Sequence, residues 1–183
     1  VIVMMALGNG ARAAIEARIR TAGTNLIIVM PGSANVAGAR TGQGARTTLT
    51  PDDSDAIARQ VTGIAAISPG ASTRAQVVSA MGNWYTQIQG ASGELQVIRH
   101  WDTEFGAFFT DADVARAAKV AVLGSVVRDQ LFGAGVDPTG QTIRISNQPF
   151  TVAGVLTSKG QSAIGQDQDD TMVVPYTTVQ KKL

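Results

Sequence analysis

The chain contains no cysteine and a single histidine, His100. The absence of cysteine excludes disulfides, thiolate nucleophiles and thiolate zinc sites, although it does not fix the redox compartment. One histidine also excludes a histidine-rich metal site. A Ser-His-Asp triad has no support, because no G-x-S-x-G turn is present to expose a serine. His100 is therefore expected to be an ordinary loop residue beside Trp101.

Charge of one sign and long apolar runs are also lacking. The 183 residues include 15 basic and 14 acidic side chains, so no global field draws the chain to nucleic acid. The longest apolar run covers residues 1–7, far short of the roughly 20 residues that a membrane-spanning helix needs. No G-x-x-x-x-G-K-[ST] motif is present, which excludes a P-loop nucleotide site. The 44% hydrophobic content is enough for a core.

The opening stretch, VIVMMALGNGARAAIEARIR, has two interpretations. Gly8, Gly10 and Ala13 match G-x-G-x-x-A, which between a strand and a helix would bind a dinucleotide. That site also needs an acidic residue about 20 residues further on, and the following apolar run ends in Met30-Pro31-Gly32 without one. A single helix that tolerates two glycines, reaching to about Ala22, is favoured.

Residues 1–74 predict a helix, a strand, a second helix and a second strand. The apolar run at 25–30 indicates a buried strand, and the Gly, Ala, Ser and Thr of 31–48 indicate a loop. Thr50-Pro51 opens a helix as cap and first residue, and residues 64–68 suit a further strand. The strand-helix-strand part is expected to form a right-handed parallel crossover.

After Arg74 the pattern changes to hairpins and short helices, so we expect an α+β fold with a domain boundary there. The predicted elements are a hairpin of 76–80 with 83–90, helices near 93–98 and from 110 or 111, a strand at 120–123, a helix at 125–132, a hairpin of 141–145 with 150–157, a strand at 172–174 and a terminal turn or helix at 176–182. The predicted units are 1–74, 75–175 and a return segment, 176–183.

Asp167, Asp169 and Asp170 form the densest group of carboxylates. Their spacing resembles part of a calcium loop, but the glycine and the bidentate glutamate of an EF-hand are missing. The sequence therefore predicts no metal site, with these three as the only weak candidates. They are expected to be a solvated lead into the last strand.

Aromatic residues give the remaining candidate site. Trp84, Tyr85, Phe108 and Phe109 lack interleaved basic residues, so they do not indicate nucleic-acid stacking. They belong to the core, or to a partner-docking patch if exposed. No catalytic set can be assembled from the sequence, which favours a binding or mechanical module. A small-molecule-binding enzyme with a degenerate Rossmann-like start stays open as the alternative.

Several blocks in order along the chain resemble MacB-type ABC transporter permeases of the MacB/FtsX-like family. They are ALGNGA at 6–11, IRTAGTNLIIV with PG at 19–32, VLG with LFG at 122–133, GQTIRI at 140–145, PFTVAGVL at 149–156, and DQDD with VPYTT at 167–178. The resemblance covers nearly the whole chain. A lipoprotein-release permease is a related alternative, although the DQDD and VPYTT blocks favour the MacB type.

The resemblance implies a periplasmic domain of an inner-membrane protein. It would comprise a porter-like strand-helix-strand subdomain with a long N-terminal helix, here 1–74, and a β-rich, Sabre-like subdomain, here 75–175. The family then completes the porter subdomain with a second strand-helix-strand unit, which is not found before Leu183. Residues 1–20 become the stalk of a transmembrane helix, weakened by Gly8 and Gly10.

The resemblance also implies a function without catalysis or cofactor. Such permeases work as homodimers in which a separate nucleotide-binding domain hydrolyses ATP and moves the transmembrane and periplasmic domains. With a periplasmic adaptor, or membrane fusion protein, and an outer-membrane exit duct they export macrolides, peptides or other amphiphiles. This domain would transmit motion and dock the adaptor.

Overall fold

A computed structural model describes residues 26–31, 35–36, 39–40, 49–161 and 167–183. The predicted helix to Ala22, with Gly8 and Gly10, lies outside these residues. Within them, the helices are all too short or too polar to cross a bilayer. Helices and strands are mixed along the chain, which confirms the predicted α+β class.

The strands and helices of these residues alternate as follows. They are β1 (Asn35–Val36), β2 (Ala39–Arg40), α1 (Pro51–Gln60), β3 (Ala71–Val78), β4 (Asn83–Ala91), α2 (Leu95–Arg99), β5 (Thr103–Gly106), α3 (Asp111–Ala115), β6 (Val120–Leu123), α4 (Ser125–Phe132), β7 (Thr142–Ile145), β8 (Gln148–Leu156), β9 (Thr171–Pro175) and α5 (Tyr176–Lys182).

Six strands form a sheet that closes on itself, which we call the closed sheet. Its order is β7, β8, β6, β9, β4, β3, and β3 then pairs with β7. Closure depends on the length of β8, whose first half pairs with β7 while its second half pairs with β5. The contact that completes the ring is short, because Val77 pairs with Ile145 and Val78 with Arg144.

The interior of the closed sheet is the main core. Alternate residues of its strands point inward, including Ile88, Phe150 and Met172, which are at most 1% exposed. Val127, Leu131 and Phe132 of α4 fill one end, and Val179 of α5 packs at the other. Each fully buried side chain of this size stabilises the fold by roughly 1.5–3 kcal/mol.

A second core covers part of the outer surface of the same sheet. In β6, Ala121 and Leu123 join the inner core while Val122, between them, joins the outer one. Helices α2 and α3 cover this outer side with Leu95 and Val114. Because β6 and β9 are buried on both faces, their sequences read as continuous apolar runs rather than as alternating ones.

The helix starts are set by local capping. In α1, the Asp53 carboxylate accepts hydrogen bonds from the Thr50 backbone N–H at 2.7 Å and from its hydroxyl at 2.9 Å. In α3, Asp113 accepts the same pair from Thr110, both at 2.8 Å. These capping pairs explain why the sequence located both helix starts correctly.

Two predicted strands are wrong. Residues 26–30 are irregular and Ile27 is 86% exposed, because no strand of the described residues lies beside them to complete a ladder. Residues 64–68 are irregular as well, since the Ile67 N–H donates to the side chain of Glu94 at 2.9 Å instead of to a neighbouring strand. The predicted parallel crossover is therefore not formed by the described residues.

Both predicted hairpins are confirmed, as β3 with β4 and β7 with β8. The strand β5 is an addition that the sequence did not indicate. The predicted boundary at Arg74 falls inside β3, and the division into subdomains stays a prediction.

Candidate functional site

The four aromatic residues predicted to face a partner lie in different environments. Phe109 is 4% exposed, and Phe108 packs with it in the outer core, their ring centroids 4.4 Å apart. Trp84 is half-buried against the inner core. Tyr85 is 61% exposed on β4. Of the four, Tyr85 is the residue that a partner can reach. The other three pack in the two cores, which was the alternative to a docking role for these residues.

Trp84 is further fixed by a hydrogen bond at one end of the closed sheet. Its indole Nε1–H donates to the Asp170 carboxylate at 2.8 Å, and the Thr86 hydroxyl donates to the same oxygen at 2.8 Å. Trp84 and Thr86 lie on the inward-facing side of β4, next to the start of β9. Asp170 therefore joins β4 to the segment that leads into β9.

Asp169 organises the preceding loop. Its carboxylate is buried, with the residue 3% exposed, and accepts hydrogen bonds from the backbone N–H groups of Lys159 at 2.8 Å and Gly160 at 2.9 Å. The Ser158 hydroxyl donates to it as well. Buried charge of this kind is stable only when donors surround it.

Asp167 has another role, because its carboxylate accepts the backbone N–H of Asp169 at 2.9 Å. The three carboxylates of the weak metal candidate are thus bound to different protein donors. Among the described residues, no group of three acidic or histidine side chains is arranged to hold a metal ion. The arrangement supports a structural role in the lead into β9, part of it buried rather than solvated as predicted.

Lys159 links this loop to α2. Its ammonium lies 5.3 Å from the centroid of Trp101 and donates to the carbonyl of Arg99. Burial, with the nearby Arg99 charge, lowers the pKa of the Lys159 amine. Trp101 in turn donates its indole N–H to the Thr157 carbonyl at 2.7 Å. The hydrogen bond between Trp101 and Thr157 holds the loop to the second core.

His100 ends α2 with a left-handed backbone, at φ 46°, and is exposed. A residue at a helix C-terminus commonly takes this conformation to end the helix. Its position supports the loop role expected from the sequence.

The chain enters and leaves the closed sheet at the same end. Strand β3 begins at Ala71, which pairs with Gly90, and β9 ends at Pro175, which pairs with Ala91. Strand β4 lies between them. Both connections of the closed sheet to the rest of the chain are thus separated by a single strand, an arrangement common where one unit is inserted into another.

The leaving segment, α5, is held firmly at this end. The Thr177 hydroxyl donates to the Val114 carbonyl, and the Thr178 hydroxyl donates to the Ala118 carbonyl at 2.9 Å. A Cβ at Gly90 would lie 2.8 Å from a Val179 methyl, so only glycine lets β4 and α5 approach this closely. Helix α5 therefore packs directly against β4 and is hydrogen-bonded to α3 and the segment after it.

Comparison with known proteins decides the family. A family model for the MacB-like periplasmic core domain matches residues 1–183. The chain belongs to the MacB-like periplasmic core domain family. This confirms the resemblance drawn from the sequence blocks, and it places the chain among the periplasmic domains of MacB-type ABC transporter permeases, which are not catalytic domains.

Curated relatives agree with this assignment to the MacB-like family. The macrolide export ATP-binding/permease protein MacB of Syntrophobacter fumaroxidans is 38% identical over 184 residues, which cover 100% of this chain and 26% of that protein. The protein of the same name from Bdellovibrio bacteriovorus is 38% identical over 183 residues, or 100% of this chain and 28% of that protein. The chain thus spans about a quarter of the length of these relatives.

Solved structures share the MacB-like fold. The periplasmic region of MacB from Actinobacillus actinomycetemcomitans matches with a TM-score of 0.72 and 23% identity, covering 90% of this chain and 71% of that one. The extracellular domain of the ABC-type transporter YknZ from Gram-positive bacteria matches with a TM-score of 0.61 and 19% identity, over 73% of this chain and 66% of that one. At these identities the likeness concerns the fold.

Proposed function

We propose that this domain docks a periplasmic adaptor and transmits ATP-driven motion in the export of macrolides, peptides or other amphiphiles. In this proposal it belongs to a homodimeric transporter of the inner membrane, and ATP is hydrolysed in a separate nucleotide-binding domain. The adaptor connects the permease to an exit duct in the outer membrane. The domain itself needs no cofactor.

The observation that carries the proposal is the attachment of the closed sheet at one end. The chain enters the closed sheet at β3 and leaves it at β9, so we expect the sheet to move with these two connections. In this proposal, the outer surface of the closed sheet meets the adaptor. The name shared by the relatives, macrolide export ATP-binding/permease protein, supports the choice of cargo.

Replacing residues 71–175 in the full-length permease tests adaptor docking. Ala71 and Pro175 flank β4, two strand spacings apart, so the gap is about 10 Å. A linker of about five Gly and Ser residues spans this distance, because an extended residue covers about 3.3 Å. The chain before Ala71 and the chain after Pro175 then stay joined over the distance that separates them in the parent permease.

The measurement is the affinity of purified full-length permease for a purified periplasmic adaptor of a MacB-type exporter. The parent permease is expected to bind, and the replacement variant is expected to lose at least about tenfold in affinity, or about 1.4 kcal/mol. Basal ATP hydrolysis shows that the variant is otherwise intact. Undiminished adaptor binding by an intact variant would rule out docking through the closed sheet.

A further inference from the structure

One part of the outer surface of the closed sheet is bare. Helices α2 and α3 cover the outer side at β6 and β9. The alternate outward residues of β3 and β7, and those of β4 from Asn83 to Gln87, are exposed, and no element of the described residues covers them. We call these exposed side chains, with Met81 in the turn between β3 and β4, the open face.

Tyr85 lies on β4, next to β3, which is the middle strand of the open face. Tyr85 pairs directly with Gln76, so Val78 and Arg74 are its diagonal neighbours on β3. Val78 pairs in turn with Arg144 of β7. Tyr85 and Val78, which are diagonal neighbours, are 61% and 43% exposed, and Met81 in the adjoining turn is 76% exposed. Exposed apolar side chains grouped on one face are typical of an interaction surface.

The charge of the open face has one sign. Arg74 and Arg144 point outward, and none of the three strands contains an aspartate or glutamate. A second copy of the same face would bring arginines against arginines, which disfavours symmetric pairing. The partner surface that complements the open face has carboxylates around an apolar residue.

We propose that the open face is the adaptor-docking surface, and that it receives an acidic segment of the adaptor with an apolar residue against Tyr85. This inference rests on the proposed docking function. Tyrosine and arginine are the side chains that most often dominate binding energy in protein interfaces. Tyr85 supplies contact area, and Arg74 and Arg144 orient the carboxylates.

Site-specific photocrosslinking in the full-length permease tests which face docks. A benzophenone amino acid replaces Tyr85 in one variant and Val97 in another, since Val97 is 65% exposed on α2, the helix that covers the opposite side. Both variants are mixed with the purified adaptor and irradiated. The proposal expects a crosslink from position 85 to the adaptor and at least about fivefold less from position 97.

The other outcomes separate the two proposals. A crosslink from position 97 alone overturns the open face and keeps adaptor docking. A crosslink from position 85 to another permease subunit, with the adaptor bound, also overturns the open face. If the adaptor binds neither the parent nor the variants, both proposals fail.

Charge reversal provides an independent test on the same full-length permease. Arg74→Glu and Arg144→Glu are each expected to weaken adaptor binding by about tenfold at low salt, with less effect at high salt. Arg59→Glu is the matched control, because Arg59 is exposed on α1, outside the open face, and the charge change is equal. Equal losses for all three variants would show a nonspecific charge effect and overturn the proposal.

Discussion

The carboxylate of Asp170 lies 2.8 Å from the indole nitrogen of Trp84 and ties β4 to the lead into β9. Asp170→Ala removes the acceptor for both Trp84 and the hydroxyl of Thr86. We expect the free energy of unfolding to fall by about 2 kcal/mol, since hydrogen bonds to charged groups contribute roughly 1.5–3 kcal/mol. Urea unfolding followed by tryptophan fluorescence measures the loss.

Asp102→Ala is the control for this experiment, because Asp102 is an exposed carboxylate outside the Trp84 contact. It is expected to change stability by about 0.5 kcal/mol or less. Equal losses for the two variants would contradict a structural role for the Asp170 contact.

Asp169→Asn is expected to destabilise the chain more strongly. The amide nitrogen of the new side chain would face the backbone N–H of Lys159 or of Gly160, which places a donor against a donor. The expected loss is about 3 kcal/mol, because a buried donor without an acceptor costs roughly 1–3 kcal/mol and a charge-assisted bond is lost as well. Asp167→Asn, on an exposed residue, should cost less.

The same carboxylates give a calcium prediction. Because Asp167, Asp169 and Asp170 are bound to separate protein donors, millimolar calcium is expected to leave the melting temperature unchanged. Differential scanning calorimetry with calcium and with EDTA checks this. A calcium-dependent rise that disappears in Asp169→Asn would restore the metal interpretation.

Gly124 allows β6 to pass close to the loop before β9. A Cβ there would lie 2.2 Å from the carbonyl oxygen of Asp169 and 2.7 Å from that of Thr171. Gly124→Ala should therefore cost about 3 kcal/mol, the upper range for overpacking. Gly70→Ala is the control, since its Cβ would meet nothing within 4 Å. Similar melting temperatures for the two variants would contradict the close approach.

The cap of α3 predicts a pH effect. Hydrogen bonds from Thr110 hold the pKa of Asp113 below its ordinary value of 3.8. A carboxyl group whose pKa is lowered in the folded chain stabilises the fold at pH values above its ordinary pKa. This contribution is lost as the pH falls through the pKa of the folded state. Asp113→Asn should thus cost about 1 kcal/mol at pH 7 and progressively less below pH 3.8. Chemical unfolding at several pH values tests this, with Asp111→Asn as the control.

Local signals in the sequence determined much of the fold. Strand β6 and helix α4 were predicted with the bounds that the structure has, because Gly124 ends the apolar run of β6 and Gly133 ends the amphipathic pattern of α4. Residues 26–30 have an equally apolar run, yet a strand also needs a partner strand, which sequence pattern does not reveal. Strand β5 was missed because its four residues, TEFG, include a single large apolar side chain and end in Gly106 at φ 63°, so they show no strand pattern.

The docking role of Tyr85 stays a prediction. The sequence named Tyr85 together with Trp84, Phe108 and Phe109, because all four carry the same aromatic signal, and those three pack in the two cores. The alternation of β3 and β7 indicates that Arg74 and Arg144 point outward. What the sequence could not indicate is that β7 closes against β3, a pairing across more than sixty residues that brings Arg144 beside Val78.

The role proposed for the closed sheet is to couple ATP hydrolysis to export. The most direct test is the amount of macrolide exported per ATP hydrolysed, measured for the complete transporter reconstituted with its adaptor and exit duct. We expect that replacing residues 71–175 by the short linker leaves ATP hydrolysis unchanged and reduces export to background. Export at the parent ratio would contradict it.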